Sequence, residues 1–361
     1  MRSITLYILL IISLNTFGQS SMVSNRGNQF NPATGLNATM LMRKSENDTE
    51  QDGFLLQGVE LQFNSDVDAY FRAQVVIGVH PEIHDHDEDE ESGEEEHNLY
   101  EIHPEEAYIE TTSIPSVTFK AGKFLSQFGK YNAIHLHALP FVYRGVVQSE
   151  TFGAEGFSAP GLSASFLVPV GWYSELTLEA LQSDNESLFE KSSNATVYVA
   201  KIKNLWELND ETTIEWGLSG LNYEIASYGD NEKETSKLFG SDLTIKWRPT
   251  KNGRSSSAMW STEFIQKQRS GTTDSDNGGI TSFLRYQLKQ RWFTQAQYEF
   301  YGINKSQGEE SIHAYSALLG FIPSEFSAIR LQLDRLAGDE DDSRVSLQFN
   351  MSIGAHPAHS Y

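Results

Sequence analysis

The sequence of 361 residues contains no cysteine, which excludes disulfide bonds, thiolate metal sites and a lipid-anchor cysteine. It also lacks an apolar run of the roughly 18 residues that a membrane-spanning helix needs. The apolar stretch 4–14 is too short to span a membrane, and small and polar residues follow it. Since Arg2 precedes this stretch, residues 1–19 are predicted to form a secretory signal peptide and residues 20–361 a single domain.

Basic residues are scarce as well: 27 Lys and Arg stand against 49 Asp and Glu, for a net charge of −22. Binding to nucleic acid requires basic surface, so we expect no nucleic-acid partner. The Gly-x-Ser-x-Gly motif is absent, and the histidines stand among acids rather than beside a candidate serine. We therefore predict that the chain is not an enzyme and that it requires no cofactor.

Sixteen short segments alternate apolar and polar residues. In the last one, Val345, Leu347 and Phe349 point one way, and Ser346 and Gln348 point the other way. No helical stretch is present to cover the apolar faces, so the pattern predicts an all-β, antiparallel transmembrane barrel. The predicted strands are 35–44, 54–63, 69–79, 104–111, 116–122, 161–168, 173–182, 195–203, 212–222, 237–248, 257–268, 279–289, 292–301, 312–320, 325–334 and 343–354.

Connection length supports this count, because short turns alternate with longer connections such as 80–103, 124–160, 223–236 and 269–278. Short turns are typical of the periplasmic end of such barrels and long connections of the external end. The six tryptophans fall near predicted short turns, as an aromatic girdle at a membrane interface requires. We therefore expect an integral protein of a Gram-negative outer membrane, with lipid around its wall.

Charged residues of the predicted strands are expected to face the lumen, because such charges cost up to about 2–4 kcal/mol on the lipid face at the midplane of the bilayer. A lumen with charges of both signs favours a water-filled pore. The alternative is a barrel sealed by ion pairs. The predicted pore-lining residues are Arg72, Lys120, Lys246, Arg285, Arg330, Glu60 and Glu179.

The third external connection, 124–160, is both the longest and unusually apolar. In this respect the chain resembles general porins, in which sixteen strands carry a third external loop that folds into the pore. The resemblance implies that 124–160 forms a constriction inside the lumen, and that the protein assembles as a homotrimer.

Two stretches resemble a family of His-rich outer-membrane proteins of Bacteroidota, often named zinc-regulated outer-membrane receptors. The matching residues are Gly122-Lys123, Gly129, Asn132, His135-Leu136-His137, Pro140-Phe141 and the tail Gly354-Ala355-His356-Pro357-Ala358-His359. The family's TonB-dependent receptor label does not fit, because such receptors combine a plug domain with a 22-stranded barrel. The resemblance implies a role linked to zinc.

Residues 80–106 contain five of the ten histidines, together with thirteen acidic residues and no Lys or Arg. Imidazole and carboxylate together suit Zn²⁺, Ni²⁺ or Cu²⁺. Such an ion could be bound by the protein or could be the solute that it transports. The alternative is a solvated acidic loop that keeps the cell surface hydrophilic. The candidate metal ligands in this stretch are His80, His84, Asp85, His86, Asp87, His97 and His103.

His135 and His137 lie two residues apart, so in an extended chain both would project to the same side and could hold one metal ion. They could equally be hydrogen-bonding residues that anchor the connection to the wall. His356 and His359 follow the last strand and are interpreted as a frayed periplasmic tail.

Together these features predict a porin-like channel through which small solutes, or divalent cations such as zinc, pass without energy input. Two alternatives remain. One is a non-conducting surface barrel that binds metal, and the other is an anion-selective pore of the phosphate type.

Overall fold

The computed structural model describes residues 27–28, 31–47, 52–81, 100–183, 185, 187–188, 195–226, 233–270, 277–304, 311–338 and 341–354. Sixteen antiparallel strands form one sheet in which each strand pairs with its neighbours in the sequence. The first and last strands also pair, from Gly35 opposite Gly354 to Ser45 opposite Arg344. The sheet is therefore a closed barrel.

The barrel strands are numbered β1 to β16 in chain order. Their bounds are Ala33–Ser45, Gly53–Asp66, Phe71–Pro81, Tyr100–Thr111, Val117–Leu125, Ser158–Leu167, Tyr173–Ser183, Ala195–Asn209, Thr212–Ala226, Lys233–Trp247, Ser257–Ser270, Asn277–Lys289, Trp292–Tyr301, Ile312–Ser324, Ser327–Ala337 and Asp342–Gly354. All sixteen predicted strands are thereby confirmed. A further two-residue segment, Gly27–Asn28, pairs in parallel with Ser65 and Asp66 of β2.

The two faces of the wall differ as the alternation predicts. In β16, Val345 and Ile353 are 48% and 60% exposed, whereas Ser346 and Gln348 are completely buried. The polar side chains therefore point into the barrel and the apolar ones point outward. A closed barrel with an apolar outer face satisfies its backbone hydrogen bonds internally and can lie in lipid. The chain thus forms a closed barrel of the kind that spans a bacterial outer membrane.

At the end predicted to be periplasmic, the connections are 67–70, 112–116, 168–172, 210–211, 248–256, 290–291 and 325–326. At the opposite end, predicted to be external, they are 46–52, 82–99, 126–157, 184–194, 227–232, 271–276, 302–311 and 338–341.

Several connections differ in length from the prediction. The predicted connection 80–103 shortens to 82–99, and 124–160 shortens to 126–157, because hairpin pairing continues where the alternation fades. The connections 227–232 and 271–276 are also shorter than predicted, and 248–256 is longer than the external connection 338–341. The alternation between short and long connections therefore holds only as a trend.

The tryptophans gather at one end of the barrel. Each lies in a short connection or in the part of its strand next to one, and five of the six are 37–46% exposed. The sixth, Trp206, lies 6.1 Å from Trp172 between ring centroids. This arrangement is the aromatic girdle expected at the periplasmic interface.

Neighbouring residues of β14 provide a matched test of the two faces. Ala317 is exposed on the outer face, while Ser316 points inward and its hydroxyl donates to the Asp334 carboxylate. We expect Ala317→Arg to cost about 2–4 kcal/mol of folding free energy in lipid. Ser316→Arg should stay close to wild type, because the new guanidinium would lie beside Asp334. Urea titration of refolded barrels in lipid vesicles measures the difference, and equal losses would contradict the assignment of faces.

Candidate functional site

The connection 126–157 lies against the inner wall of the barrel. Its side chains Phe128, Val142 and Phe157 are completely buried, and they pack in two apolar clusters that include inward-facing residues of the wall. In the first cluster the wall contributes Val197 and Leu221, among others. This burial explains how so apolar a connection can be long, since the surrounding strands shield it from water.

Three carboxylates of the wall receive the connection. Glu179 of β7 accepts hydrogen bonds from the Ser126 hydroxyl (2.8 Å) and from the backbone N–H of Gln127 (3.1 Å). Glu263 of β11 accepts from the backbone N–H of Lys130, and Glu299 of β13 accepts from that of Val147. Burial of a carboxylate without hydrogen-bond partners is unfavourable in free energy, and the connection supplies these partners. The three contacts therefore hold the connection at defined points of the wall.

Glu299 also acts at a helix terminus. The short helix α1, Val146–Phe152, has no side-chain cap from its own N-cap residue, Gly145. The wall carboxylate takes that role, since the N–H of Val147 is one of those left unpaired in the first turn. Gly129 is required for two reasons: its φ of +64° favours glycine, and a Cβ at this position would clash with the Glu263 carboxylate.

Other contacts reach the opposite side of the wall. Arg330 of β15 donates to the Leu139 carbonyl (2.7 Å), and Asn350 of β16 donates to the His137 carbonyl (2.7 Å). Gln57 of β2 donates to the carbonyl of Val142 (2.8 Å). The connection therefore crosses the lumen from β5 and touches strands on both sides of it.

Two side chains hold the connection together internally. Asn132 donates to the carbonyls of Ser126 (2.8 Å) and Phe157 (3.0 Å), and it accepts from the N–H of Phe157 (2.7 Å). Arg144 donates to the carbonyls of Ile134, Ala154 and Glu155. The beginning and the end of the connection are thus fastened to each other.

Four histidines and four glutamates gather where the connection meets β2, β3 and β4. The cluster consists of Glu60, His80, His103, Glu105, Glu106, His135, His137 and Glu155. Five of them line a cavity of about 80 Å³, together with Lys123 and Arg144. With four carboxylates near two basic side chains, the cluster is suited to attract cations.

Glu105 is the centre of the cluster. One of its carboxylate oxygens lies 2.5 Å from His80 Nε2, and the other lies 2.8 Å from His135 Nδ1. His135 Nε2 is in turn 3.2 Å from a carboxylate oxygen of Glu106. The His135 ring therefore bridges the two acidic side chains, with each of its nitrogens on one carboxylate.

The rest of the cluster surrounds these contacts. His103 Nε2 lies 3.0 Å from Glu155, and its ring stacks on that of His80 with centroids 5.4 Å apart. His137 Nδ1 lies 2.7 Å from Glu60. The His135 and His137 rings are also stacked, with centroids 5.9 Å apart. The backbone here forms a 3₁₀ turn at Leu136–Ala138 and is not the extended chain that the prediction assumed.

Among the described residues, two sets of three side chains could each hold a metal ion. The first is His80, His103 and Glu155, and the second is Glu60, Glu105 and His135. Within each set, the potential ligand atoms lie within 4.8 Å of one another. His137 belongs to neither set, so the predicted pairing of His135 with His137 on one ion is not the geometry found here.

The charge state of His135 follows from its surroundings. Burial of the ring lowers the pKa of His135, but the carboxylates of Glu60, Glu105 and Glu106 raise it by more, so that the pKa lies well above its usual value. The carboxylates therefore favour the protonated form of the ring.

The structure separates the predicted metal ligands into two groups. His80, His103, His135 and His137 come together, while His84, Asp85, His86, Asp87 and His97 lie outside the described residues. Sequence reasoning placed Glu60 in the pore lining and counted Glu105 and Glu106 among the acids of 80–106. It missed Glu155, for which the local sequence carries no signal.

The predicted pore-lining residues all belong to the wall, but the connection covers several of them. Arg330 is 1% exposed and Glu60 and Glu179 are each 5% exposed, because all three contact the connection or its histidines. Arg72 pairs with Asp66 and Glu110, and Lys120 lies over the Tyr108 ring. Lys246 and Arg285 lie close together near the periplasmic end.

In the part of the chain that the structure describes, no helix is long and apolar enough to cross a membrane. No protein-family model matches the chain. A protein of Aquifex aeolicus, described as an uncharacterized protein, is 28% identical over 306 residues, which cover 71% of this chain and 63% of the relative. The resemblance to the His-rich, zinc-regulated family therefore stays a prediction.

Solved structures of outer-membrane barrels share the fold. OprB of Pseudomonas putida superimposes with a TM-score of 0.62 at 10% identity, over 90% of this chain and 94% of that one. An anion-selective porin from Comamonas acidovorans superimposes with a TM-score of 0.58 at 9% identity, over 89% of this chain and 99% of that one. At such identities the similarity establishes the 16-stranded barrel fold.

Asn132 offers a test of how the connection is held. Asn132→Ala would remove the partner of the Phe157 N–H and of the Ser126 carbonyl, while the Phe157 carbonyl keeps its hydrogen bond from the Ser126 N–H. The cost is about 1–3 kcal/mol for each buried group left unpaired. We expect amide hydrogen exchange to accelerate within 126–157 while the barrel strands keep their protection. Asn64→Ala in β2 is the matched control, and unchanged exchange in 126–157 would show that Asn132 does not fasten the connection.

Proposed function

We propose that the chain is a porin-like channel through which small solutes cross the outer membrane passively. The observation that carries the proposal is the closed 16-stranded barrel with polar inward side chains, crossed by one long connection. Barrels of this size enclose a lumen wide enough for water. The connection would then set the narrowest part of the path.

The lumen is unevenly charged. The histidine and glutamate cluster lies in its external half, near the beginning of β4 and the end of β3. Lys246 and Arg285, which are both opposite Met259 in the strand register, lie near the periplasmic end. The external half is therefore suited to collect cations, and the solutes we propose include divalent metal ions such as Zn²⁺.

The external stretch between β3 and β4 would supply those ions. Its three histidines, His84, His86 and His97, stand among many carboxylates and would bind Zn²⁺ weakly at several positions. The ions would be concentrated at the mouth and passed to the lumen. We further propose that the protein forms homotrimers, as the resemblance to general porins implies.

Removal of the connection tests the channel. Leu125 is paired with Ser158, so a deletion of residues 128–155 leaves a four-residue turn between two paired strands. We expect a several-fold rise in single-channel conductance in planar bilayers, because the deletion removes the segment that crosses the lumen. A deletion of residues 250–254 in the periplasmic connection is the control and should leave conductance near wild type.

The conductance measurement separates two outcomes. A wild-type chain that conducts, with a higher conductance after deletion, agrees with the proposal. A barrel that stays closed in both forms would contradict it and favour the non-conducting barrel. The contacts of the connection with both sides of the wall are the observation in favour of that alternative.

Capture of metal at the mouth has its own test. Equilibrium dialysis of the refolded full chain against Zn²⁺ should show several weakly bound ions, and replacement of His84, His86 and His97 by Ala should remove most of them. Replacement of His356 and His359 by Ala is the control. An unchanged weak binding after the first replacement would leave a solvated acidic stretch without a role in metal capture.

An anion-selective channel is the second candidate. The observation in its favour is that Lys130, Lys203 and Arg285 all lie near Lys246, within the half of the lumen that faces the periplasm. Glu215 lies among them and pairs with Lys130, which leaves the group with an excess of basic side chains. The reversal potential in a salt gradient distinguishes the two selectivities, because its sign reports whether cations or anions cross more readily.

A further inference from the structure

Each of the two sets of ligands combines side chains of the wall with one side chain of the connection 126–157. His80 and His103 belong to β3 and β4, while Glu155 belongs to the connection. In the second set, Glu60 and Glu105 belong to β2 and β4, while His135 belongs to the connection.

Glu105 joins the two sets. One of its oxygens contacts His80 of the first set, and the other contacts His135 of the second. A carboxylate with each oxygen directed at a different set of ligands is the arrangement by which a bridging carboxylate holds two neighbouring metal ions. The two sets are therefore adjacent in the structure.

The distances suit an ion of the size and chemistry of Zn²⁺. Bonds from Zn²⁺ to imidazole nitrogen and carboxylate oxygen are about 2.0–2.2 Å, so two ligands on one tetrahedral ion lie about 3.4 Å apart. His103 Nε2 and Glu155 are 3.0 Å apart, and His135 Nδ1 and Glu60 are 3.7 Å apart. Small side-chain movements would bring all three ligands of each set into place, and water would complete the coordination.

We propose that these six side chains form a two-metal centre for Zn²⁺ or a similar divalent cation, which fastens the connection 126–157 to the wall. The inference rests on the proposed channel, because fastening matters to function only if the connection sets the width of the path. An ion can reach all three ligands of a set only when the connection is seated in the lumen. Bound metal therefore shifts the connection toward its seated position by mass action.

The fastening would act at two separate points. His135 lies in the first third of the connection, next to the 3₁₀ turn, and Glu155 lies three residues before β6. Two ions at these points would restrain both the inward and the returning parts of the connection. Loss of metal would leave the hydrogen bonds and the apolar packing against the wall, and the conductance would fluctuate more.

Metal counting tests the centre in the full chain. The background carries His84→Ala, His86→Ala and His97→Ala, so that the external stretch does not add ions to the count. After refolding and treatment with a chelator, the protein is dialysed against a low concentration of ZnCl₂ and its zinc content is measured. We expect two ions per chain, and a content of one ion or none would overturn the two-metal centre.

Single substitutions in this background identify the ligands. Glu155→Gln keeps the shape of the side chain and should reduce the zinc content to one ion or none. His103→Gln should do the same, and provides a second variant if Glu155→Gln fails to fold, as judged by its mobility on an unboiled gel. His313→Ala is the control, since His313 lies in β14 among Tyr298 and Phe300, outside both sets. Two tightly bound ions in both Gln variants would overturn the assignment.

Hydrogen exchange tests the fastening. Zn²⁺ should slow amide exchange by about tenfold or more in residues 133–138 and 153–156, and Glu155→Gln should abolish the effect in 153–156. Zinc that binds without slowing exchange there would overturn the fastening. Conductance of the metal-free chain reports on the channel separately. If the chain conducts but does not bind two ions, only the two-metal centre is refuted. If the chain binds two ions but never conducts, only the channel is refuted.

Discussion

Closure of the sheet is the constraint on which the rest of the structure depends. Pairing of β1 with β16 leaves no strand edge, so every strand can satisfy its backbone groups in a medium that offers no water. Closure also forces alternate side chains into one shared interior. The polar and charged residues that lipid excludes then meet in the lumen, although they are far apart in the sequence.

The lumen in turn determines how the connection 126–157 is held. Inward carboxylates such as Glu179, Glu263 and Glu299 need partners, and the connection needs acceptors for its backbone N–H groups because it is not part of the sheet. The backbone N–H groups of the connection donate to these carboxylates, so both kinds of group are paired. Its apolar side chains fill the space between these contacts, so the connection is fixed both by polar contacts and by apolar packing against the wall.

The sequence predicted the strands well, because a period of two is a local property that a single strand displays. It predicted the cluster poorly, because closure and the path of one connection bring its members together. Five histidines of residues 80–106 were assigned to a single loop, but His80 and His103 belong to β3 and β4, which extend further than the alternation indicates. Glu155 has no repeat, spacing or composition around it that indicates a ligand, and only its contact with His103 reveals it.

The connection 126–157 lies deep in the lumen, and a distance measurement tests this position most directly. The chain contains no native cysteine, so a double variant with Ala138→Cys and Met351→Cys carries spin labels at these two positions and nowhere else. Asn350, next to Met351, contacts the His137 carbonyl, next to Ala138, at 2.7 Å. Pulsed electron–electron double resonance on the labelled barrel in lipid should therefore give a short distance between the two labels with a narrow distribution. A long, broad distribution, as expected for a connection that projects from the external mouth, would contradict this account.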